Sequence, residues 1–576
     1  MFYKYVNNRI SYRSTIGALI GENDTILTSD SDKANAFNKY YASVCVVDDG
    51  IVPPCPNVAV KSTIESIRFD EASVLAAIQK VKPNLSAGPD RLPPLLFKQL
   101  RYSLVRPLAL LYNQLFSVST VPSTWKQAII TPVFKKGAAG AVCNYRPISL
   151  TCVASKIMER IIAKQIYVHL LENNLLSSAQ HGFVKGRSTC TNLFDAVNDW
   201  TLTVQNKKAV TIAYIDFSRA FDTVSHNKLL TRLYSYGIRG LVLEWIKQFF
   251  SDRTHQTKVG ECLSPSAELL SGVVQGSGIG PVLFLIYIDD LAKLLERNGF
   301  TAKLFADDVK VYLEVVENAD VAKLQGALDL VASWASQWQL QISVSKCSVL
   351  TVGRSPIDAS YSMNGFLLPR GTQCRDLGVT ITSDLSSSQH INEITAKAHK
   401  RANCILRCFA SRNVKLLVRA FIVYVRPILE YNSVIWSPYL KKEISQIEKV
   451  QRRFTKRLRG LRNIGYTERL NRLGLPTLEL RRLQLDLIFC YKIVFGLTSL
   501  TSSDYFQLSS NTNTRGHAYK LYISQNSCST RRKFLSCRIL AVWNSLPANT
   551  DFSSLAAFKR TVIATDLAKF LHYNCD

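Results

Sequence analysis

"LFADDVKVY", residues 304 to 312, sets two adjacent aspartates, Asp307 and Asp308, inside an apolar run of strand character. Leu304, Phe305 and Ala306 precede them and Val309, Val311 and Tyr312 follow, which reads as two short strands joined by an acidic turn. Neighbouring like charges repel, and the pair is costly unless water is abundant or a cation sits between the carboxylates. A plain Asp-Asp turn meets the first condition. The second is suggested by Asp216, which ends another apolar strand-like run in "TIAYIDFSRAFD", 211 to 222. If the two strands are neighbours in one sheet, three carboxylates converge, and divalent cations would neutralise them. Two such ions about 3.5–4 Å apart can clamp the attacking and leaving oxygens of a phosphoryl transfer.

The charge balance implies a polyanionic partner. The chain has 576 residues and a formal charge of +28, from 71 Lys and Arg against 43 Asp and Glu. The excess is local: from Ala396 to Arg482, 21 basic and 5 acidic residues contribute +16. There "EISQIEKVQRRFTKRLRGL", 443 to 461, spaces Ile444, Ile447, Val450, Phe454, Leu458 and Leu461 three or four apart. That spacing predicts an amphipathic helix whose outer face carries Arg452, Arg453, Lys456, Arg457 and Arg459. A solvated face is the plain alternative, but the acidic residues that normally interleave are missing. A membrane-surface helix would want flanking tryptophans on its apolar side.

At 47% hydrophobic and 20% charged, the chain has core-forming sequence for several subdomains. The 14 cysteines are scattered without a C-x-x-C pair, suiting reduced thiols better than a disulfide framework or a zinc site. The opening "MFYKYVNNRISYRS" has no apolar signal region, and the longest apolar run, "VLFLIYI" at 282 to 288, is far too short to span a bilayer. The expectation is an intracellular protein, not secreted and with no membrane partner.

Along the chain, "DDGIVPPCPN" at 48 to 57 reads as a linker. Helices are predicted in 69–84, over 99–117, in "SKIMERIIAKQIYVHLLENN" at 155–174, and in 229–237, 242–250 and 321–338. Strands are predicted at 209–217, 301–313, 348–353 and 377–381. Beyond residue 385 the pattern is helical and basic, so an α+β core precedes a helical appendage. Asp289-Asp290, ending an apolar segment, reads as a helix cap or solvated pair. It is left out of the acidic site, as is Asp222.

A set of motifs in order carries a family resemblance. They are "WKQAIITPVFKKG" (125–137), "NYRPISL" (144–150), "QHGFVKGRST" (180–189), "IDFSRAF" (215–221), "QGSGIGP" (275–281), "FADD" (305–308), "LQISVSKC" (340–347) and "RDLGVTI" (375–381). Together they resemble the reverse transcriptases of non-LTR retrotransposons (LINE, jockey-like), where "FADD" is a usual form of the hairpin. Residues 11–45, "VRPILEYNSVIWSP" (425–438) and "TRGHAYKL" (514–521) extend the likeness over nearly the whole chain. The resemblance implies an α+β right-hand polymerase: fingers, a ferredoxin-like antiparallel palm and a helical thumb, with a basic helical C-terminal extension. The implied divisions are an N-terminal extension and linker at 1–60, fingers and palm at 61–383 with the motif core in 116–383, the thumb at 384–480 and the extension at 481–576. It also implies a nuclear or cytoplasmic ribonucleoprotein location.

By this resemblance Asp216, Asp307 and Asp308 are the catalytic carboxylates and would hold two Mg²⁺ ions, with Mn²⁺ as a substitute and the Phe217 carbonyl as a further ligand. The implied reaction is attack of a primer 3′-hydroxyl on the α-phosphorus of a dNTP, with an RNA template and a DNA primer or target as partners. Lys135 and Arg146 would meet the triphosphate, although sequence does not separate Lys135 from Lys136. Phe221 would be the steric gate against a 2′-hydroxyl, where an isolated phenylalanine would simply be core. Gln275 would contact the nucleotide, Gly276 would let the backbone approach sugar and template, and Lys346 would protonate pyrophosphate unless it is merely solvated. "QGSGIGP" departs from the commoner "PQGSVLGP": Val274 replaces proline, and Gly278 adds backbone freedom at the helix start. His181 and His226 are assigned to structure. Arg452, Arg453, Lys456 and Arg457 would bind nucleic acid through phosphates, and Trp436 and Tyr439 would stack on bases or pack. An endonuclease domain, for which 1–60 has no room, would be supplied elsewhere. The alternatives are a catalytically inactive nucleic-acid-binding relic of such an element and, third, a nuclease using the same carboxylates.

Overall fold

The apolar runs around the three aspartates become adjacent strands in the computed structural model, which describes residues 16–21, 24–54, 58–355, 357–509, 516–523 and 528–573. Parts of the motif stretches 11–45 and 514–521 therefore lie outside the described residues. The strands that matter are β1 (Gln127–Phe134), β2 (Tyr145–Leu150), β3 (Val210–Ile215), β4 (Thr254–Val259), β5 (Thr301–Phe305), β6 (Asp308–Glu314), β7 (Ser348–Val352), β8 (Gln373–Asp376) and β9 (Val379–Thr382). The helices around them are α1 (Asp30–Ser43), α2 (Val153–Glu172), α3 (Thr189–Gln205), α4 (Gly280–Arg297), α5 (Asn318–Gln337), α6 (Ser388–Cys408), α7 (Lys441–Lys456) and α8 (Leu478–Val494).

β3 sits at the middle of a five-stranded sheet, antiparallel to β6 on one side and β7 on the other; β5 and the short strand Arg370–Gly371 form the edges. Side chains alternate across a sheet, so each strand feeds two cores. Ala213, Ile215, Val309, Val311 and Val349 face a core shared with α2, α4 and α5. Val210, Ile212, Tyr312, Leu350 and Val352 face a second core shared with α3, α6, α7 and α8. Burial on both faces explains why these strands read as nearly continuous apolar runs. The basic helices from α6 onward pack on the second of these faces.

A second sheet, which the sequence patterns did not reveal, has the order β2, β1, β4, with β4 continued by two short strands. β1 runs parallel to β4 over Gln127–Ile130 and antiparallel to β2, with Pro132 directly opposite Pro147. Two prolines argue against a strand when read locally. Here Pro132 lies beyond the stretch paired with β4, and Pro147 is on an edge strand.

Three local expectations are corrected. The linker assigned to 48–57 is, over its described residues 48–54, bonded into the protein. Buried Lys228 pairs with Asp49 at 2.8 Å and donates to the Ile51 carbonyl at 2.7 Å, while the Val46 N–H donates to Ser271 Oγ at 2.9 Å. Upstream, α1 packs on β4 through Asn38, which donates to the Pro265 carbonyl and accepts from Thr257 Oγ1. Asp289 and Asp290 neither cap nor solvate a helix: α4 runs past them to Arg297, and both are buried. Asp289 accepts from the Ser177 N–H and Tyr236 Oη and pairs with Lys293, while Asp290 pairs with buried Arg232 at 2.8 Å. Finally, the basic helix ends at Lys456, short of 461; Leu458 and Leu461 reach the same core from the turns that follow.

Candidate active site

The acidic turn is held by its register. β5 and β6 pair Leu304 with Val309 and Phe305 with Asp308, leaving Ala306 and Asp307 as a two-residue tip. On the other side Val309 faces Ile215, so the next step of the antiparallel ladder brings Asp308 beside Asp216. Opposed Cα atoms in such a ladder are about 4.5–5.5 Å apart. Ala306 adopts a left-handed backbone with φ +57°, which costs roughly 1–2 kcal/mol for a residue with a Cβ. Fully buried Gln180 supports it: its Oε1 accepts from the Ala306 N–H at 2.9 Å and from the Gly182 N–H at 2.7 Å. Gln180 and Gly182 are functional supports that sequence reasoning missed. They lie inside the "QHGF" motif, but nothing local links them to the hairpin.

The electrostatics fit a site built for cations. Burial, then the carboxylates of Asp307, Asp216 and Asp376, push the Asp308 carboxyl up to about 6. Burial and then Asp216 also raise Asp307, against the pull of Lys135 and Arg146. Asp216 accepts from Lys346 Nζ at 3.3 Å. Lys135 is lowered by burial, then by the charges of Arg146 and Lys346. Arg146 and Lys135 follow from the β1–β2 register, in which Val133 faces Arg146 and the Lys135 N–H donates to the Asn144 carbonyl at 2.8 Å.

The backbone at Phe217 leaves a carbonyl over. Phe217 opposes Ile342 in an isolated bridge whose hydrogen bonds are carried by its neighbours: the Ser343 N–H donates to Asp216 and the Ser218 N–H to Gln341. The Phe217 carbonyl thus takes no part in the hydrogen bonds of that bridge. Three carboxylates and a carbonyl are the oxygen donors that hard divalent cations prefer. Among the described residues, however, no group of three or more acidic, thiol or imidazole side chains is placed to hold a metal ion.

The remaining predicted residues make contacts of their own. Phe221 stacks on Phe284 with centroids 4.1 Å apart and meets Phe183 edge-on at 6.0 Å. The Gln275 side chain is turned to Asp222, donating to Oδ1 at 2.7 Å, and its carbonyl accepts from the Ser149 N–H. Gly276 has φ +115°, and a Cβ there would meet the Ser149 carbonyl oxygen at 2.6 Å, so glycine is required for contact with β2. Gly278 does not loosen the helix start, as its sequence suggested. A Cβ would sit 3.0 Å from Glu159, Arg160 and the Lys156 carbonyl, and its N–H donates to buried Glu159. It is a packing glycine against α2.

On α7, Arg453, Lys456 and Arg457 are exposed, whereas Arg452 is half-buried, lying over the Tyr466 ring and reaching Tyr573 Oη. Arg452 therefore departs from the outer face assigned to it. Trp436 is buried, with its Nε1 on the Tyr431 carbonyl, and Tyr439 is exposed. His181 is buried between Thr191 and Asp195, and His226 bonds the Gly272 carbonyl.

A family model described as reverse transcriptase (RNA-dependent DNA polymerase) matches residues 133–381. That span encloses the three aspartates, Lys135, Arg146, Phe221, Gln275 and Lys346, and excludes α7. Over 411 residues, 68% of this chain and 44% of the relative, the sequence is 28% identical to a probable RNA-directed DNA polymerase from transposon BS of Drosophila melanogaster. It is 27% identical over 408 residues, 69% of this chain and 44% of the relative, to the RNA-directed DNA polymerase from mobile element jockey of the same species. A probable RNA-directed DNA polymerase from transposon X-element, also of that species, is 24% identical over 414 residues, 70% of this chain and 45% of the relative. The chain thus spans less than half the length of these relatives. Residues 133–381 are similar to a reverse transcriptase domain, and the relatives that extend the match are named as RNA-directed DNA polymerases of mobile elements.

Proposed function

We propose that the chain is an RNA-directed DNA polymerase that extends a DNA primer on an RNA template with dNTPs. The observation that carries this reading is the register that brings Asp216 beside the Asp307–Asp308 turn, with Lys346 paired to Asp216. In this reading the central sheet is the palm, the β1–β2–β4 sheet and its helices are the fingers, and the helices from α6 onward are the thumb and a C-terminal extension. The domain limits are those given from the sequence.

Asp216, Asp307 and Asp308, with the Phe217 carbonyl, would hold two Mg²⁺ ions. Bound there, the ions would acidify the primer 3′-hydroxyl and take up charge on the departing pyrophosphate. The chain's own groups do the rest. Arg146 offers a planar donor fork and Lys135 a point charge to the triphosphate oxygens. Lys346, which pairs with Asp216 at the edge of the site, would give its Nζ proton to the leaving group. Phe221, braced by Phe284, would exclude a 2′-hydroxyl. Gln275 must turn from Asp222 to reach a nucleotide, and Gly276 keeps β2 close beneath it. Arg453, Lys456 and Arg457 would grip backbone phosphates without reading sequence.

The test is dNTP incorporation on a primed RNA template with Mg²⁺, comparing wild type with Asp307→Ala. Extension by wild type alone is expected. Equal extension by both would remove the assigned site; binding without extension would leave a nucleic-acid-binding relic, and shortened primers would indicate a nuclease.

A further inference from the structure

Directly behind the carboxylates lies a row of lysines. On each strand, residues two apart share a face. The ladder therefore stacks Asp308 beside Asp216 and, one layer further into the sheet, Lys310 beside Tyr214, with Lys303 of β5 and Ser348 of β7 completing the lower row. Each lysine is matched by an aspartate from outside the sheet. Lys303 pairs with Asp195 of α3. Lys310 pairs with Asp376 of β8 at 2.5 Å, their side chains only 4% and 6% exposed. Asp376 arrives on the separate β8–β9 hairpin, in the stretch "RDLG". The cleft that reaches Asp216 and Asp308 from this side is also lined by Lys310, Lys346, Arg375 and Asp376.

A buried ion pair is about as stable as a hydrophobic pair of the same volume, so stability alone does not account for two charges here. Their place does. Two residues along a strand span about 7 Å, and a free ammonium that far from Asp308 would cost a divalent cation about tenfold in affinity even at the dielectric of water, and more at the lower effective dielectric of a protein. A lysine stem is also long enough to swing forward into the cation's position.

We propose that Asp376 is a positioning residue that masks the charge of Lys310, keeping the Asp216–Asp307–Asp308 row available to divalent cations. The inference rests on the reading of that row given under the proposed function. Its signature is asymmetry. Removing Asp376 alone unmasks a cation behind the site and weakens metal binding, whereas removing Lys310 alone unmasks nothing positive and does not weaken it. Removing both restores a neutral layer.

The experiment is Mn²⁺ binding to the full chain without nucleic acid, followed by the electron paramagnetic resonance signal of the free ion, alongside primer extension as a function of Mg²⁺. Asp376→Asn is expected to weaken Mn²⁺ binding at least about tenfold and raise the Mg²⁺ needed for extension. Lys310→Met is expected to bind at least as tightly as wild type, and the Lys310→Met/Asp376→Asn double variant to return close to it. Equal weakening by both single variants, or a double variant as weak as Asp376→Asn, would overturn the mask and leave only a structural strut. If a single variant fails to fold, the double variant still decides, because a neutral pair that loses Mn²⁺ binding contradicts the proposal. Absence of Mn²⁺ binding in wild type would instead sink the acidic-site reading itself.

Discussion

Gly182 provides a sharp test of how the acidic turn is supported. A Cβ added there would lie 2.3 Å from the Ala306 nitrogen, 2.9 Å from the Phe305 carbonyl carbon and 3.1 Å from the Ala306 Cα. The first distance falls about 1.1 Å short of the 3.4 Å at which ordinary contact begins. Gly182 does not occupy a left-handed backbone, so alanine is conformationally permitted and the whole effect of Gly182→Ala is steric. All three colliding atoms are backbone, so no side chain can give way. Either the 180–182 segment moves, breaking the Gln180 bonds to Ala306 and Gly182, or the turn carrying Asp307 moves by about an ångström. Overpacking of this kind costs about 1–3 kcal/mol, and a 1 Å misplacement of reacting groups about 100-fold in rate. Gly182→Ala should therefore melt several degrees lower yet fold, and extend a primer on RNA about 100-fold more slowly. Extension within about threefold of wild type would refute the claim that this glycine sets the position of the hairpin.

The raised Asp308 carboxyl predicts a pH dependence of definite sign. Because its folded value near 6 exceeds the ordinary aspartate value, its contribution to stability is full below about pH 4 and is lost as pH rises through 6. In chelator, Asp308→Asn should gain stability over wild type near pH 8 and lose that advantage toward pH 4; a difference in melting temperature that does not vary with pH would contradict this. Asp290→Ala would strand Arg232, which is fully buried and lies over the Trp338 ring, at a cost of about 3–5 kcal/mol in denaturant unfolding. A loss below about 1 kcal/mol would show that the pair is not coupled as the structure has it. Replacing Arg453, Lys456 and Arg457 by glutamine should reduce the slope of log binding constant against log salt by about 2–3, one phosphate contact per residue. An unchanged slope would place nucleic acid elsewhere.

Much of the site was legible in the sequence because its signals are local. Asp216 and Asp307–Asp308 stand at the ends of apolar runs whose β-branched and aromatic content predicts strands, and the ordered motifs around them resemble one family. The 3.6-residue period in 155–174 and 321–338 anticipated α2 and α5 to within a few residues. The apolar spacing of 443–461 anticipated which side chains of the basic helix are buried. The second sheet was hidden because two of its strands carry prolines, whose tolerance depends on which edge is paired. The fate of Asp289–Asp290 was hidden because Arg232, Lys293 and Tyr236, which make their burial possible, come from elsewhere on α4 and from a separate helix and its end.

By itself, then, the sequence determined the strands that carry the aspartates, several of the helices around them and the residue types the chemistry would draw on, since propensity and side-chain periodicity act between near neighbours. Only the tertiary structure decided that β3 lies beside β6 in the register that joins Asp216 to Asp308. It also decided that Gln180 and Gly182 close under the turn and that Asp376 reaches Lys310 behind it. Those pairings are set by packing between distant parts of the chain, and a slip of one residue in the ladder would turn every one of these side chains to the opposite face.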